Sequence, residues 1–205
     1  MIESIENALQ IIVLLICSGI ALYRAIANHS QTWVLAFLFF GSWLLGDIYW
    51  LVCLLFYGQT PQISIVSDLS WYGSYIFLYL LLYHSSAPDK DSRKHRLPWL
   101  GPVFAAGMAV FFITQGELLS NLIYASLMGL LLFAALSRKI DRKRYQNQQL
   151  LSGMILLFCL LEYGLWTASC FWKTDTLSNP YYWFDFLLTV SFVFFLPAIK
   201  KAVTE

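Results

Sequence analysis

Charge is what this sequence has least of. Only 12% of its 205 residues are Asp, Glu, Lys or Arg, where water-soluble domains carry roughly 25%. That deficit excludes an ordinary water-soluble domain. A net charge of +1 removes the electrostatic case for nucleic acid as a partner. Metal ligands are scarce too. The three histidines, His29, His84 and His95, fall near the ends of apolar runs, and no His or acid cluster has metal-site spacing. No metal is expected. No Ser-His-Asp arrangement, phosphate loop or base-reading motif appears, so neither a cofactor nor a diagnostic catalytic class is indicated. Cys17, Cys53, Cys159 and Cys170 lack paired spacing and are expected as buried thiols. Cys53 and Cys170 approach the same ends of their runs, so a disulfide between them stays open. The first seven residues hold Glu3 and Glu6 and no Lys or Arg, the reverse of a signal peptide, so the first apolar run is expected to be retained.

What the sequence has is hydrocarbon. Apolar residues make up 59%, and mean hydropathy is +0.64. A bilayer core needs roughly 20 apolar residues per helix. Seven runs qualify, at about 8–26, 31–57, 63–85, 97–115, 118–137, 149–172 and 180–199. The expected fold is therefore all-α: a polytopic membrane bundle of seven transmembrane helices forming a single domain over 1–205. Punctuation separates the runs: Asn28-His29-Ser30, Gly58 to Pro61, Asp89 to Arg96, Gln115-Gly116-Glu117 and Arg138 to Gln149. Asn179 before Pro180 reads as a helix cap. Of the 13 Lys and Arg, 12 fall in one set of connections: Arg24, Lys90 to Arg96, Arg138 to Arg144, and Lys200 with Lys201. Only Lys173 lies on the other side. Cytoplasmic loops carry the Lys/Arg excess. The N-terminus is thus expected outside and the C-terminus in the cytoplasm, with anionic lipid headgroups beside the basic residues. A bacterial plasma membrane is the expected location.

Acids inside the spans carry the functional reading. Asp47, Asp68, Glu162 and Asp185 fall within or at the ends of predicted spans. Each costs about 2.5–3.5 kcal/mol at a helix centre. Such residues usually face a bundle interior or a wet cavity. All four favour the outer half, and those spans supply no Lys or Arg at matching depth. Aromatics surround them. Trp43 and Trp50 flank Asp47 at i−4 and i+3, Trp166 follows Glu162 at i+4, and Tyr181 precedes Asp185 at i−4. In span 3, Asp68, Tyr72, Tyr75, Tyr79 and Tyr83 form one stripe, with Trp71 beside it. Asp47, Trp50, Asp68, Trp71, Tyr72, Tyr75, Glu162, Trp166 and Asp185 are the candidate ligand-binding set. Carboxylates without cationic partners, ringed by indole and phenol faces, suit an organic cation. The alternatives are interfacial acids at helix N-termini for Asp68 and Asp185, and protonated interhelical acids for Asp47 and Glu162. Trp71, Tyr181, Tyr182 and Trp183 equally fit an interfacial aromatic belt. Gly101/Ala105 and Ala125/Gly129 are small-residue pairs expected to let spans 4 and 5 pack closely.

Spans 1–3 and 5–7 would enter the membrane in the same directions, with span 4 between them. Gly46-Asp47 with Trp50 resembles Leu161-Glu162 with Trp166, and Asp68 to Trp71 resembles Pro180 to Trp183, at offsets of 112 to 116 residues. A 3+1+3 repeat follows, an arrangement known for small transporters. The stretch Gly46-Asp47-Ile48-Tyr49-Trp50, a short Gly58 to Pro61 loop, then Ser67-Asp68-Leu69-Ser70-Trp71-Tyr72-Gly73-Ser74-Tyr75 resembles the membrane input modules of some bacterial diguanylate cyclases and kinases. That resemblance implies a sensor with a separate cytoplasmic signalling partner. Ser42 to Asp47 with Leu161-Glu162 also resembles the acid motifs of the lysoplasmalogenase-like family. It implies Asp47 and Glu162 as an acid/base pair in a lipid hydrolase. That family has eight spans and an aspartate in the second motif, where this chain has Glu162. The leading expectation is a non-enzymatic, sensor-like protein that binds a small cation from outside. A transporter and a lipid hydrolase are the alternatives.

Overall fold

The apolar runs fold as helices because hydrocarbon offers the backbone no other hydrogen-bond partner. The computed structural model describes residues 2–61, 65–85, 96–115 and 117–203. Residues 63 and 64 of the third expected span, the loop residues 89–95 with Lys90, Arg93, Lys94 and His95, and Gly116 lie outside the described residues. Helix α1 is Ile2–Asn28, α2 Gln31–Tyr57, α3 Ile65–His84, α4 Leu100–Phe112, α5 Leu118–Ile140, α6 Gln149–Phe171 and α7 Pro180–Val203. Short 3-10 turns at Leu97–Trp99 and Gln146–Gln148 lead into α4 and α6.

Every helix except α4 is long and apolar enough to cross a membrane. α4 has 13 residues, about 20 Å of helix against a bilayer core of about 30 Å. The fourth expected span, 97–115, is thus shorter than the other six. Pro98 and Pro102 hold its start, where their missing amide donors cost nothing, and the helix ends at Phe112. α1 begins earlier than the expected residue 8, which brings Glu3, Glu6 and Asn7 into the helix. Gly58 caps α2 at φ 67°, its amide donating to the Leu54 carbonyl at 3.1 Å. Only glycine adopts that conformation without strain. Asn179 caps α7 as expected, its Oδ1 accepting from the Tyr181 amide at 3.0 Å.

The six long helices close into a ring. α1 packs on α2, α2 on α3, α3 on α5, α5 on α6, α6 on α7, and α7 returns to α1. α4 lies outside this ring against α5. The close approach of α4 needs small residues, as expected. A Cβ on Gly101 would stand 2.7 Å from the Leu132 Cβ, and one on Gly129 would stand 3.5 Å from the Ala105 Cβ. Early residues of α1, α3, α5 and α7 and late residues of α2 and α6 line one common cavity. Ring neighbours are therefore antiparallel, except at the two seams α3–α5 and α7–α1, where they run parallel.

Polarity is inverted relative to a water-soluble protein. Ile12, Leu15, Ile16, Leu55 and Phe194 point outward, while Gln10, Asp47, Asn121, Glu162 and Asp185 are buried inside. That distribution fits a lipid solvent. Towards the end where α1 terminates, the ring is filled by Phe39, Phe40, Phe158, Phe192 and Phe195, all fully buried. Phe39 meets Phe40, Phe158, Phe192 and Phe195 at centroid distances of 4.9 to 6.1 Å. Arg24 stacks over Trp33 at 4.8 Å at this end. Arg138 turns inward rather than to headgroups: its Nη1 donates to the Ala134 carbonyl at 2.9 Å and its Nε to Gln148 Oε1 at 3.1 Å. All four cysteines are free thiols, so Cys53 and Cys170 are unpaired in this structure.

Candidate functional site

Five ring helices send polar or aromatic side chains to one point. From α2 come Trp43, Asp47 and Trp50, spaced 4 and 3 residues apart so that they share a face. α3 supplies Trp71 and Tyr75, α6 Glu162 and Trp166, and α7 Tyr181 and Asp185. α1 adds Asn7 and Gln10. Together they enclose a chamber of about 70 Å³, room for roughly two water molecules at about 30 Å³ each, or for one ammonium group. Asp47 is 2%, Glu162 3% and Asp185 5% exposed. Among the described residues, no Lys, Arg or His lines the chamber.

Hydrogen bonds hold the acids in place. The Trp71 indole Nε1 donates to Asp47 Oδ1 at 3.2 Å, and the Tyr75 hydroxyl donates to Glu162 Oε2 at 2.7 Å. Gln10 Nε2 lies 3.0 Å from both Asp185 Oδ1 and Thr189 Oγ1. Glu6, just behind the wall, approaches Asp185 carboxyl to carboxyl. Asp185 and Glu162 both lie within electrostatic reach of Asp47. Two buried polar atoms on the chamber wall, Asp47 Oδ2 and Trp43 Nε1, have no partner. A buried acceptor without a donor costs about 1–3 kcal/mol. Here the residue that carries it lines a cavity that a donor can enter. Among the described residues, no three His, Cys, Asp or Glu side chains form a metal-holding group.

Gly46 makes this geometry possible. A Cβ there would stand 2.7 Å from Trp71 Nε1, so only a bare α-carbon lets the indole lie against α2 and reach Asp47. Gly46→Ala should displace the indole and leave both Asp47 oxygens unpaired, at a cost of about 1–3 kcal/mol. A lowered thermal midpoint and a moved Trp71 indole N–H resonance would report it. An unmoved resonance would show that Gly46 is not what seats the ring.

Above the chamber lies a vestibule of about 530 Å³. Trp50, Trp71, Trp166 and Tyr181 line both spaces, so the two are contiguous. Asp68, Glu3 and Glu117 line the vestibule, with Lys173 among its lining residues. Of the nine sequence candidates, Asp47, Trp50, Trp71, Tyr75, Glu162, Trp166 and Asp185 meet at the chamber. Asp68 stands apart in the vestibule. Tyr72 lines neither space; its hydroxyl donates to the Ser120 carbonyl at 3.3 Å and ties α3 to α5. The tyrosine stripe divides likewise, with Tyr75 buried and Tyr83 exposed.

No known protein family, curated protein or solved structure matches the chain.

The site therefore has to be read from its own chemistry. Sequence reasoning placed a first span at about 8–26 but missed what α1 contributes to the site, because Glu6 and Asn7 lie before that span and Gln10 at its margin. Yet Glu3, Asn7, Gln10, Leu14, Cys17 and Ala21 recur at helical spacing, and that single stripe would have placed the first residues on an inward face.

Proposed function

We propose that this protein is a membrane carrier for a small organic cation, binding the ammonium group in the chamber and the body of the molecule in the vestibule. The observation that supports it is the chamber itself. Buried carboxylates from α2, α6 and α7, with no cation among the described lining residues, share the chamber with indole and phenol rings at the centre of a ring of helices. Such a site suits a cation by charge and by ring-face attraction, worth about 2 kcal/mol or more once desolvated.

Carriage, rather than sensing alone, is favoured by internal symmetry. The ring contacts repeat: α1–α2 corresponds to α5–α6, α2–α3 to α6–α7, and the seam α3–α5 to α7–α1. Like residues recur along the corresponding helices as well. An offset of 114 residues pairs Glu3 with Glu117, Asn7 with Asn121, Ala21 with Ala135 and Arg24 with Arg138. An offset of 115 pairs the buried Trp43 with Phe158 and Asp47 with Glu162. An offset of 117 pairs Asp68 with Asp185, Ser74 with Ser191 and Tyr75 with Phe192. Ser74 and Ser191 even make the same bond, each hydroxyl donating to the carbonyl three residues back at 2.8 and 2.7 Å. This register matches Asp68 with Asp185, in place of the sequence pairing of Asp68 with Pro180. Two such three-helix halves, linked by α4, rocking about a shared site are the usual basis of alternating access. In this reading the vestibule faces outward and the phenylalanine layer closes the inner side.

Uptake of radiolabelled methylammonium and guanidinium into proteoliposomes tests the proposal. Saturable uptake above empty vesicles is expected. Saturable binding without uptake would return the protein to the sensor reading and a cytoplasmic partner. Turnover of a lysoplasmalogen, lost in Asp47→Asn, would make it a hydrolase.

Orientation has its own test. In a background with Cys17, Cys53, Cys159 and Cys170 replaced, Thr60→Cys should label from outside the cell with an impermeant maleimide. Ser92→Cys should label only after permeabilisation. The opposite pattern would place the vestibule on the cytoplasmic side and overturn the direction of binding.

A further inference from the structure

Glu6 and Asp185 meet carboxyl to carboxyl at the seam where α1 packs on α7. They are 9% and 5% exposed. Two carboxyl groups join by a hydrogen bond only when one of them carries a proton, because an ionised carboxylate has no hydrogen to donate. The nearby amide donors are already placed. Gln10 Nε2 lies 3.0 Å from Asp185 Oδ1, and Asn7 Nδ2 lies 3.4 Å from Glu6 Oε2. Glu6 Oε1 is buried and accepts from no donor among the described residues. The groups that face the pair are acids and phenols from each neighbouring helix: Glu3 of α1, Asp47 of α2, Glu162 of α6, and Tyr181 and Tyr182 of α7. Asp175 lies beyond, accepting from the Tyr182 hydroxyl. Among the described residues, no Lys, Arg or His joins them.

Buried charge is costly unless it is paired, so with no fixed cation beside it the pair keeps a proton until another positive charge arrives. Asp185 also lines the chamber. A cation bound there supplies the positive charge that the proton supplied, and the two compete for the same acids. The place of the pair gives that competition a consequence. α1 belongs to the first three-helix half and α7 to the second, so the shared proton bridges the halves. At the matching seam, α3–α5, the repeat offsets set Ser120 for Glu6 and Asp68 for Asp185, one acid in place of two. We propose that the protein exchanges protons for cations, with the Glu6–Asp185 pair as the proton site. A cation entering the chamber releases the shared proton to the vestibule. When the site opens inward the cation leaves, and a proton from that side takes its place. The exchange rests on the carrier reading and gives it a driving force. Glu6 does not line the chamber, so its carboxyl holds the proton without touching the cation.

Guanidinium is the probe, because it stays charged at any working pH and is not trapped in an acid interior as a weak base is. Its binding to the full chain in weakly buffered detergent solution should release about one proton per cation, read with a pH indicator. The infrared difference spectrum on binding should lose a carboxylic-acid carbonyl band. In proteoliposomes at equal pH, counterflow of guanidinium between internal and external pools reports carriage alone. With an acid interior and the membrane potential clamped at zero, guanidinium should accumulate about tenfold per pH unit. Glu6→Gln should keep counterflow and lose the proton release, the band change and the accumulation. Glu6→Asp, which keeps the acid, should retain all three and shift the band. Counterflow in the wild type without proton release or accumulation overturns the exchange and leaves the carrier standing. Undiminished accumulation in Glu6→Gln also overturns it, since the proton then rides elsewhere. If Glu6→Gln does not fold, a band left unshifted by Glu6→Asp overturns the assignment to the pair. No counterflow beside a Glu6-dependent proton release would sink the carrier reading and leave the proton site in place.

Discussion

Asp47→Asn/Glu162→Gln protein, reconstituted beside the wild type, should take up methylammonium at least about 100-fold more slowly. The two amides keep the shape of the acids. Each would still offer a carbonyl oxygen to the Trp71 indole and the Tyr75 hydroxyl, which now donate to Asp47 and Glu162 at 3.2 and 2.7 Å. The walls of the chamber are thereby retained. What disappears is charge. Removing one member of a buried charge pair costs about 2–5 kcal/mol, and the low-dielectric site amplifies it. The variant should be no less stable than the wild type, because Asp47, Glu162 and Asp185 lie within electrostatic reach of one another. Unchanged uptake in a folded double variant would show that these acids are structural, hydrogen-bonded between helices, and that the cation passes elsewhere.

Phe39→Ala should give the largest loss of stability. Its ring is fully buried and touches four other phenylalanines, from α2, α6 and α7. In a water-soluble core the truncation costs about 3–5 kcal/mol through lost transfer energy and a residual cavity. In a bilayer the transfer part is smaller, because lipid tails are as apolar as the core. The cavity and the lost dispersion contacts remain, so about 2–3 kcal/mol is expected. Unfolding of the reconstituted protein by denaturing detergent measures it. The same substitution also thins the layer that closes the chamber on its inner side, so passive leak of methylammonium should rise in parallel. A loss near zero would mean that the phenylalanines repack, and the inner seal would then rest on the backbone alone.

Much of this was legible in the sequence, for a definite reason. Hydrocarbon forces the backbone into helices, so run length and composition alone located six long membrane helices to within a few residues at most of their ends. The same solvent makes a buried acid expensive. Asp47, Asp68, Glu162 and Asp185 therefore stood out before any contact was known, and helical spacing tied Trp50 to Asp47, Trp166 to Glu162 and Tyr75 to Asp68; that Tyr75 bonds Glu162 instead is a tertiary fact. Two signals misled. Glu3 and Glu6 looked like a polar tail because hydropathy begins to rise only after Asn7, and a charge at a helix start reads as solvent-exposed whether or not a neighbouring helix covers it. The fourth span, drawn to residue 115, ran past the helix end at Phe112 because Ile113 and Thr114 do not interrupt an apolar run, and composition cannot tell such a turn from a helix.

The sequence by itself determined the apolar class of the chain, its long helices, and which acids are costly to bury in them. Those follow from one-dimensional quantities: run length, residue type and periodicity. Only the tertiary structure decided that the six long helices close into a ring, that α4 stays outside it, and that Gln10 and Glu6 of α1 meet Asp185 of α7 across more than 170 positions. Which faces turn inward depends on how helices far apart in the chain share a small volume. Gly46 shows why a sequence cannot announce that. Its role is to leave 2.7 Å between a missing Cβ and an indole nitrogen, a distance that exists only once α2 and α3 have packed.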